Sequence, residues 1–257
     1  MIANYHTHTS RCGHAWGEDR EYVEAAAAAG LQLLGFSDHT PYDFFDSQPR
    51  NRPMRMKPEE LPDYVASVRA LAAEYRGRLE ILPGVEAEYY PKYFPRLLEL
   101  LRENGVQYMI LGQHSVGNEI GEPYCGRAFA DPALLDRYVS QCAEALDTGL
   151  FTYFAHPDLI NFAGSAELYA QQMRKLCRAA IRNGTPLEIN LLGVREARNY
   201  PNEQFWQIAA EEGCSAILGY DAHRPEDLLN AASEAHARQM AERLGLPLLD
   251  SLPLRSF

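Results

Sequence analysis

The sequence predicts an α/β fold in which seven strand-and-helix units form a distorted (β/α)7 barrel, TIM-barrel-like, as one domain over residues 1–257. Three observations predict this fold. Short apolar runs alternate with amphipathic stretches, each amphipathic stretch stops at a glycine, and a His, Asp or Glu follows nearly every apolar run. Uninterrupted alternation implies parallel strands joined by crossover helices. A doubly wound open sheet is the alternative arrangement of these units.

The predicted strands are short apolar runs bounded by polar residues or glycine. They cover residues 2–5, 33–36, 81–85, 109–111, 152–155, 187–189 and 216–218. Runs of this length are typical of strands that are buried on both faces, as in a parallel sheet.

The predicted helices follow these strands and have an apolar face at helical spacing. They cover residues 21–29, 59–75, 92–104, 132–146, 167–183, 202–212 and 225–244. The glycines that end them are Gly30, Gly77, Gly105, Gly149, Gly184, Gly213 and Gly245. Glycine is the usual helix stop. The helix boundaries and the alternating order of strands and helices therefore both favour the barrel.

The composition limits the partners of this protein. The chain of 257 residues has a formal net charge of −11 and a pI near 5.2. Nucleic acids and anionic membrane surfaces attract basic proteins, so neither is expected as the main partner. No apolar run reaches the roughly 18 residues of a membrane span, and the first strand leaves no room for a signal peptide. We therefore expect a cytoplasmic protein.

The five cysteines are scattered and include no Cys-x-x-Cys pair. They are Cys12, Cys125, Cys142, Cys177 and Cys214. Reduced thiols are the simplest interpretation in a cytoplasmic protein. Cys12 lies between two histidines and is either a zinc ligand or an unligated loop thiol.

The first predicted strand leads into a histidine pair, His6 and His8. Alternate residues of a strand point to the same face, so both imidazoles can bind one metal ion. Asp221 and His223 repeat this spacing after the last strand, and His14 follows the first pair after a short turn. The sequence therefore predicts a metal site where the first and last strands end.

Polar side chains also follow the other strands. The full set is His6, His8, Asp38, His39, Glu86, His114, His156, Glu188, Asn190, Asp221 and His223. Parallel strands bring their carboxyl ends to one face, so these residues and His14 are expected to meet there. Of the adjacent pair, we favour His39 as a metal ligand and Asp38 as a residue that orients a ligand without binding metal itself. The remaining histidine, His236, is expected on the surface of the last helix.

The polar segments carry a family resemblance, which extends from residue 1 to about 228. The motifs are His6-Thr7-His8, Ser10-Arg11-Cys12-Gly13-His14, Gly35-Phe36-Ser37-Asp38-His39, Gly84-Val85-Glu86, Gly112-Gln113-His114, Ala155-His156-Pro157 and Tyr220-Asp221-Ala222-His223. They resemble the ordered motifs of the polymerase and histidinol phosphatase superfamily, called PHP, and the histidinol-phosphatase branch in particular.

The resemblance implies three divalent metal ions on the carboxyl-terminal rim of the barrel. By this resemblance the metal ligands would be His6, His8, Glu86 and Asp221 for the first ion, a bridging Glu86 with His114 and His156 for the second, and His14, His39 and His223 for the third. Imidazole and carboxylate ligands suit zinc, manganese or iron. The expected nucleophile is a metal-bound hydroxide held by Glu86, Asp221 and His223.

Charge predicts the kind of substrate. Three divalent ions bring six positive charges and the two carboxylates return two negative ones, so the pocket should attract an anion. Arg195 and Arg198, after the sixth strand, are candidates to bind a phosphate group through their forked guanidinium. The alternative is a solvated loop in which they pair with Glu196 or Glu203.

A second arginine group follows the second strand in a proline-bearing loop. It contains Arg50, Arg52, Arg55 and Lys57. This loop is either a lid over the site or a stretch of ordinary surface charge.

The hypothesis is a metal-dependent phosphomonoesterase that acts on a small anionic ester. The resemblance points to L-histidinol phosphate and to histidine biosynthesis. The alternatives are a phosphodiesterase or nuclease of the same superfamily and a metal-binding module without catalysis. The complete ligand set disfavours the module, and the sequence does not predict the oligomeric state.

Overall fold

The computed structural model describes residues 1–42, 54–119 and 121–257. Its strands are β1 (Ala3–Asn4), β2 (Leu33–His39), β3 (Glu80–Ala87), β4 (Tyr108–Leu111), β5 (Leu187–Asn190), β6 (Ala216–Gly219) and β7 (Leu248–Leu249). Its helices are α1 (Asp19–Ala28), α2 (Leu61–Glu74), α3 (Phe94–Asn104), α4 (Pro132–Asp147), α5 (Ala166–Arg182), α6 (Leu191–Glu196), α7 (Glu203–Glu212) and α8 (Ala231–Leu244). Short 3-10 turns at Pro58–Glu60 and Pro225–Leu229 lead into α2 and α8. All seven predicted helices are present.

The strands form two parallel sheets that are joined at both edges. One sheet has the order β1-β2-β3-β4 and the other β5-β6-β7. Phe154 bridges them by pairing with Leu111 on one side and Leu187 on the other. At the opposite edge Thr7 pairs with Ala222, and the amide of His8 donates to the carbonyl of Ala222 at 2.9 Å. The sheet is therefore a closed, distorted barrel, and the open-sheet alternative is wrong.

Two predicted features differ from the observed barrel. The fifth predicted strand, residues 152–155, is only a bridge at Phe154, although backbone bonds tie this segment to Leu111 and to Glu188. On each side these bonds involve only a few residues, which is enough for one bridge but too few for a continuous ladder. An unpredicted strand, β7, pairs with the beginning of β6. Two residues are too few for a periodic pattern to reveal.

The unpredicted helix α6 replaces what the sequence indicated was a loop. It begins directly after β5, where the side-chain oxygen of Asn190 accepts a hydrogen bond from the amide of Gly193 at 3.0 Å. This is an N-cap, which satisfies an amide that has no partner within the helix. The helix places Arg195 in its last turn, at the rim of the barrel.

The inside of the barrel is filled by aromatic and aliphatic side chains. They are Ala3, Tyr5, Leu82, Tyr108, Ile110, Tyr153, Ala155 and Ile217, with Leu33 and Leu252 packed against them. The hydroxyl of Tyr108 donates to the carbonyl of Tyr5 at 2.8 Å. A Cβ on Gly84 would lie 2.1 Å from the Tyr108 ring, so glycine makes room for this tyrosine. The polar cluster at the rim therefore stands on a packed floor.

A larger apolar layer lies between the strands and the surrounding helices. The five cysteines are buried there or near the rim, and all are free thiols in the structure. Within the described ranges, the model contains no helix that is both long and apolar enough to cross a membrane.

Candidate metal centre

Glu86, at the carboxyl end of β3, lies at the centre of the polar cluster and is 1% exposed. Five imidazoles surround its carboxylate. The distances from its oxygens are 2.8 Å to His156 Nε2, 3.1 Å to His39 Nδ1, 3.6 Å to His8 Nε2, and 3.7 Å to both His6 Nε2 and His114 Nε2. A carboxylate in this position can bridge two ions, since each of its oxygens faces a different set of nitrogens.

Asp221 is the second buried carboxylate of the cluster. Its Oδ1 atom lies 3.1 Å from His8 Nε2, 3.5 Å from His6 Nε2 and 3.3 Å from His223 Nδ1. His6 and His8 thus face the same group, although only Ala3–Asn4 of this segment is a strand. Asp221 and His156 both have positive φ angles, 48° and 32°. Residues other than glycine rarely adopt this region of backbone conformation, and they keep it only where the surrounding structure holds them there.

His14 completes the cluster from the turn after the first histidine pair. Its Nε2 atom lies 3.0 Å from Nε2 of His223, and its ring stacks on that of His39 with centroids 5.2 Å apart. The structure therefore brings all nine predicted ligands together. His39 lies between two groups, because it also faces Glu86.

The donor atoms form compact groups that fit metal ions. The groups with all donor atoms within 4.8 Å include His6, His8 and Glu86; His6, His156 and Asp221; His39, Glu86 and His114; and His8, His39 and His223. Several of these atoms are buried without a hydrogen-bond partner in the described part of the chain: His6 Nε2, both ring nitrogens of His8, His39 Nδ1 and Asp221 Oδ1. Buried polar atoms need partners, so this cluster is suited to divalent cations.

The pKa shifts of Glu86, Asp221 and His223 favour cation binding. Burial alone would raise the pKa of Glu86, but the imidazoles of His39, His114 and His6 outweigh it and hold this pKa well below its usual value. Burial is likewise outweighed at Asp221, whose pKa is lowered by His6 and His8. Burial, together with His8, lowers the pKa of His223 to about 3. Ionised carboxylates and a neutral imidazole are the protonation states that metal ligands require.

His6 has the opposite shift. Burial lowers its pKa, but the carboxylates of Glu188, Asp221 and Glu86 outweigh burial and raise this pKa to about 10. Without an ion, His6 is therefore protonated at neutral pH. Metal binding at Nε2 must release a proton, so metal affinity at this position should increase with pH.

Three further carboxylates face the outer nitrogens of the histidines. Glu188 lies 2.8 Å from His6 Nδ1, Glu88 lies 3.0 Å from His114 Nδ1, and Asp38 lies 3.5 Å from His8 Nδ1. The contacts of Glu188 and Glu88 are hydrogen bonds, and such partners fix the ring orientation and the tautomer of a ligand histidine. The contact of Asp38 is longer and is not a hydrogen bond. Asp38, predicted to be an orienting residue, lies beside the ring of His8 and also accepts a hydrogen bond from the backbone amide of His39 at 2.8 Å. The sequence offered Glu188 only as one more strand-end acid and gave no role to Glu88.

The cluster forms the floor of a cleft of about 560 Å³ at the rim of the barrel. Arg195 and Arg198 both line this cleft. Arg195 lies 3.2 Å from Asp227, while Arg198 donates to Glu196 at 2.6 and 2.9 Å and to the hydroxyl of Tyr200 at 2.9 Å. Arg198 thus forms the ion pair with Glu196 that the solvated-loop alternative predicts, but it also lines the cleft. Arg195 is 17% exposed.

The other predicted residues have different surroundings. Arg50 and Arg52 lie outside the described residues. Arg55 is only 11% exposed and pairs with two carboxylates, so it is not ordinary surface charge. Cys12 donates to the carbonyl of Thr9 and lies near His8 and Asp38. His236 is exposed, as predicted.

A closed parallel barrel with a histidine- and carboxylate-rich cluster at its carboxyl-terminal rim defines a metal-binding α/β-barrel protein of the kind that carries enzymatic sites. A family model described as PHP domain matches residues 4–191. The chain belongs to the PHP domain family.

Two curated relatives extend the similarity beyond this region. A probable histidinol-phosphatase from Deinococcus radiodurans is 32% identical over 240 residues, which is 88% of this chain and 88% of the relative. A histidinol-phosphatase from Bacillus subtilis is 24% identical over 87% of this chain and 94% of the relative. The similarity therefore spans nearly the full length of both relatives.

A solved structure supports the fold. The histidinol phosphate phosphatase from Lactococcus lactis, determined with zinc, L-histidinol and phosphate, superimposes with a TM-score of 0.75. It is 18% identical, and the match covers 98% of this chain and 96% of the other. The prediction of a PHP-type barrel is confirmed.

Proposed function

We propose that this chain is a metal-dependent phosphoric monoester hydrolase that converts L-histidinol phosphate to L-histidinol and inorganic phosphate. The observation that carries the proposal is the cluster of seven histidines and two carboxylates at the rim of a PHP-family barrel. Relatives named as histidinol-phosphatases align over most of the chain, which supports this ester and a role in histidine biosynthesis. Residues 1–257 would act as one catalytic domain.

The proposed metal assignment is the one that the family resemblance implies, and the proximity of these side chains supports it. His6, His8, Glu86 and Asp221 would hold one ion, and Glu86 with His114 and His156 a second. His14, His39 and His223 would hold a third, with His39 close enough to Glu86 to share the second. Bound divalent ions polarise phosphoryl oxygens and lower the pKa of coordinated water. Zinc is the first ion to test, with manganese and iron as alternatives.

The protein side chains would orient the ester between the metal cluster and the two arginines. Asp227 and the carbonyl of Tyr220 fix the direction of the Arg195 guanidinium, and Glu196 and Tyr200 fix that of Arg198. An arginine held in one direction loses little conformational entropy when it binds a phosphate. We therefore assign both arginines to phosphate binding at the cleft wall.

The cleft also favours direct transfer of the phosphoryl group to water. None of the described residues that line it is a serine, threonine or cysteine. Asp221 faces three histidines and is assigned to metal, which leaves it no role as a covalent nucleophile. A single displacement is the simplest reaction for such a site.

The experiment is a turnover assay with metal-free protein reconstituted with zinc, manganese or iron. A panel of phosphomonoesters should include L-histidinol phosphate, and a phosphodiester and a single-stranded oligonucleotide test the two rival activities. We expect kcat/KM to be highest for L-histidinol phosphate. Preferred cleavage of the diester or oligonucleotide would favour the nuclease alternative, and full metal binding without any turnover would favour the non-catalytic module.

A further inference from the structure

Arg55 makes an unusually complete set of contacts for a residue outside the cleft lining. Its Nη2 and Nη1 atoms donate to the two oxygens of Glu88 at 2.7 and 2.8 Å, and Nη2 also donates to Glu119 at 2.6 Å. Its guanidinium lies over the ring of Tyr42, 5.3 Å from the centroid. Arg55 therefore joins the segment before α2 to the end of β3 and to the segment after β4.

Glu88 is the residue through which Arg55 reaches the cluster. It lies two residues after Glu86 and is 1% exposed. Its Oε1 atom accepts from Arg55 and lies 3.0 Å from Nδ1 of His114. Because a buried carboxylate accepts hydrogen bonds, it selects the His114 tautomer with the proton on Nδ1.

This tautomer leaves Nε2 of His114 with a free lone pair. Nε2 lies 3.7 Å from Oε1 of Glu86 and belongs to the group of donors formed by His39, Glu86 and His114. The ring is 17% exposed and packs against His39, Tyr124 and His156, and the hydrogen bond to Glu88 is the polar contact that determines which nitrogen faces Glu86. Its orientation depends on the hydrogen bond to Glu88, and the direction of Glu88 depends on Arg55.

A second histidine of the cluster has a differently supported carboxylate. Glu188 lies beside His6 and is held by the hydroxyl of Tyr153 at 3.1 Å and by the amide of Asn190 at 3.0 Å. These partners are neutral, whereas Glu88 has a cation. A buried carboxylate with a bidentate arginine is fixed in angle as well as in position.

We propose that Arg55 is a positioning residue for metal binding: it fixes Glu88, which in turn fixes His114 as a ligand. The inference rests on the metal site of the proposed function but does not depend on which ester is hydrolysed. It assigns Arg55 to the support of one ligand histidine.

The test measures cobalt binding to metal-free protein, by titration and by the visible spectrum of the bound ion. Arg55→Met should weaken the cobalt ion held through His114 by about 10- to 100-fold and change its spectrum. Arg55→Lys, which keeps the charge but not the bidentate geometry, should recover part of this loss. Arg137→Met, on α4, is the matched control, because it removes an exposed arginine–carboxylate pair whose Glu122 lies, like Glu119, in the segment after β4. It should bind cobalt as the wild type does.

Glu88→Gln and the double variant Arg55→Met/Glu88→Gln test the route of the effect. The double variant removes both buried charges, so it remains informative even if Arg55→Met alone fails to fold. Because Arg55 acts through Glu88, the double variant should bind cobalt as weakly as Glu88→Gln and no more weakly. Wild-type cobalt affinity in Arg55→Met, an equal loss in Arg137→Met, or additive losses in the double variant would overturn the proposal. Cobalt binding is measured without substrate, so failure of the proposed ester hydrolysis is distinguishable from failure of this inference.

Discussion

Glu86 shows how one residue determines the character of the site. Its oxygens face five imidazoles from four segments of the chain, and these imidazoles hold its pKa well below the usual value. Losing this carboxylate removes one negative charge from the middle of the cluster. No neighbouring side chain can replace it as a bridge, because Asp221 already faces His6, His8 and His223.

Glu86→Gln should therefore lose metal and activity together while keeping its fold. An amide is a neutral and weaker metal ligand, so we expect the metal content to fall by at least one ion per chain. Elemental analysis and circular dichroism measure the two outcomes. Glu80→Gln, at the exposed start of the same strand, is the control and should keep its metal. Full metal content in Glu86→Gln would refute the bridging role.

Arg195 and Arg198 give a second prediction at the same scale. Replacement of either by alanine should lower kcat/KM by on the order of 10²-fold, roughly 3 kcal/mol, because a charged contact to phosphate is lost. The metal content should not change. Arg243→Ala serves as the control, because it removes an exposed ion pair between Arg243 of α8 and Glu203 of α7. If both variants keep wild-type kinetics, the arginines only form surface pairs with their acidic neighbours.

At the scale of secondary-structure elements, glycines at the strand ends leave room for the carboxylates of the cluster. Gly112 comes directly after β4, and a Cβ there would lie 1.8 Å from Oε1 of Glu86. Gly219, at the end of β6, has the same relation to Glu188, at 1.8 Å. These two strands therefore need glycine at their ends so that the neighbouring carboxylates can occupy the rim.

Gly112→Ala should displace the Glu86 carboxylate and reduce both metal content and turnover. Gly77→Ala is an instructive comparison, since Gly77 follows α2 with a φ of 80° and has open space around its Cα. It should lower the free energy of unfolding by about 1–2 kcal/mol through backbone strain and leave metal binding intact. Metal analysis and chemical denaturation separate the two effects. A Gly112→Ala protein with wild-type metal content would contradict the steric argument.

At the scale of the whole molecule, the barrel brings residues that are distant in sequence to one rim. His6 meets Glu188 across 182 positions of sequence, and His14 meets His223 across 209. The closing contact between Thr7 and Ala222 holds the histidine pair of His6 and His8 beside Asp221 and His223. The reaction therefore depends on closure of the barrel as well as on the individual ligands.

The stereochemistry of the reaction is a prediction for the assembled site. Transfer to water in one displacement inverts the phosphorus centre, whereas a protein nucleophile would require two displacements and retain it. Since no serine, threonine or cysteine occurs among the described residues that line the cleft, we expect inversion. A phosphomonoester made chiral at phosphorus and hydrolysed in isotopically labelled water measures the outcome. Net retention would make Asp221 and Asp38 the first residues to examine as nucleophiles.

The sequence by itself determined the order of strands and helices and the identity of the strand-end histidines and acids. These follow from local patterns: helix stops at glycine, short apolar runs, and a two-residue spacing that directs His6 and His8 to the same side. The helix α6 and the strand β7 escaped prediction because six residues and two residues are too short for a periodic signal.

Only the tertiary structure decided how the barrel closes and which groups support the ligands. Glu88 and Arg55 have no sequence pattern that connects them to His114, since 26 and 33 positions separate Glu88 from His114 and Arg55. The proximity of the Asp38 carboxylate to the ring of His8 was unpredictable for the same reason. Contacts between side chains on different strands depend on the register and curvature of the closed sheet, and no local segment contains that information.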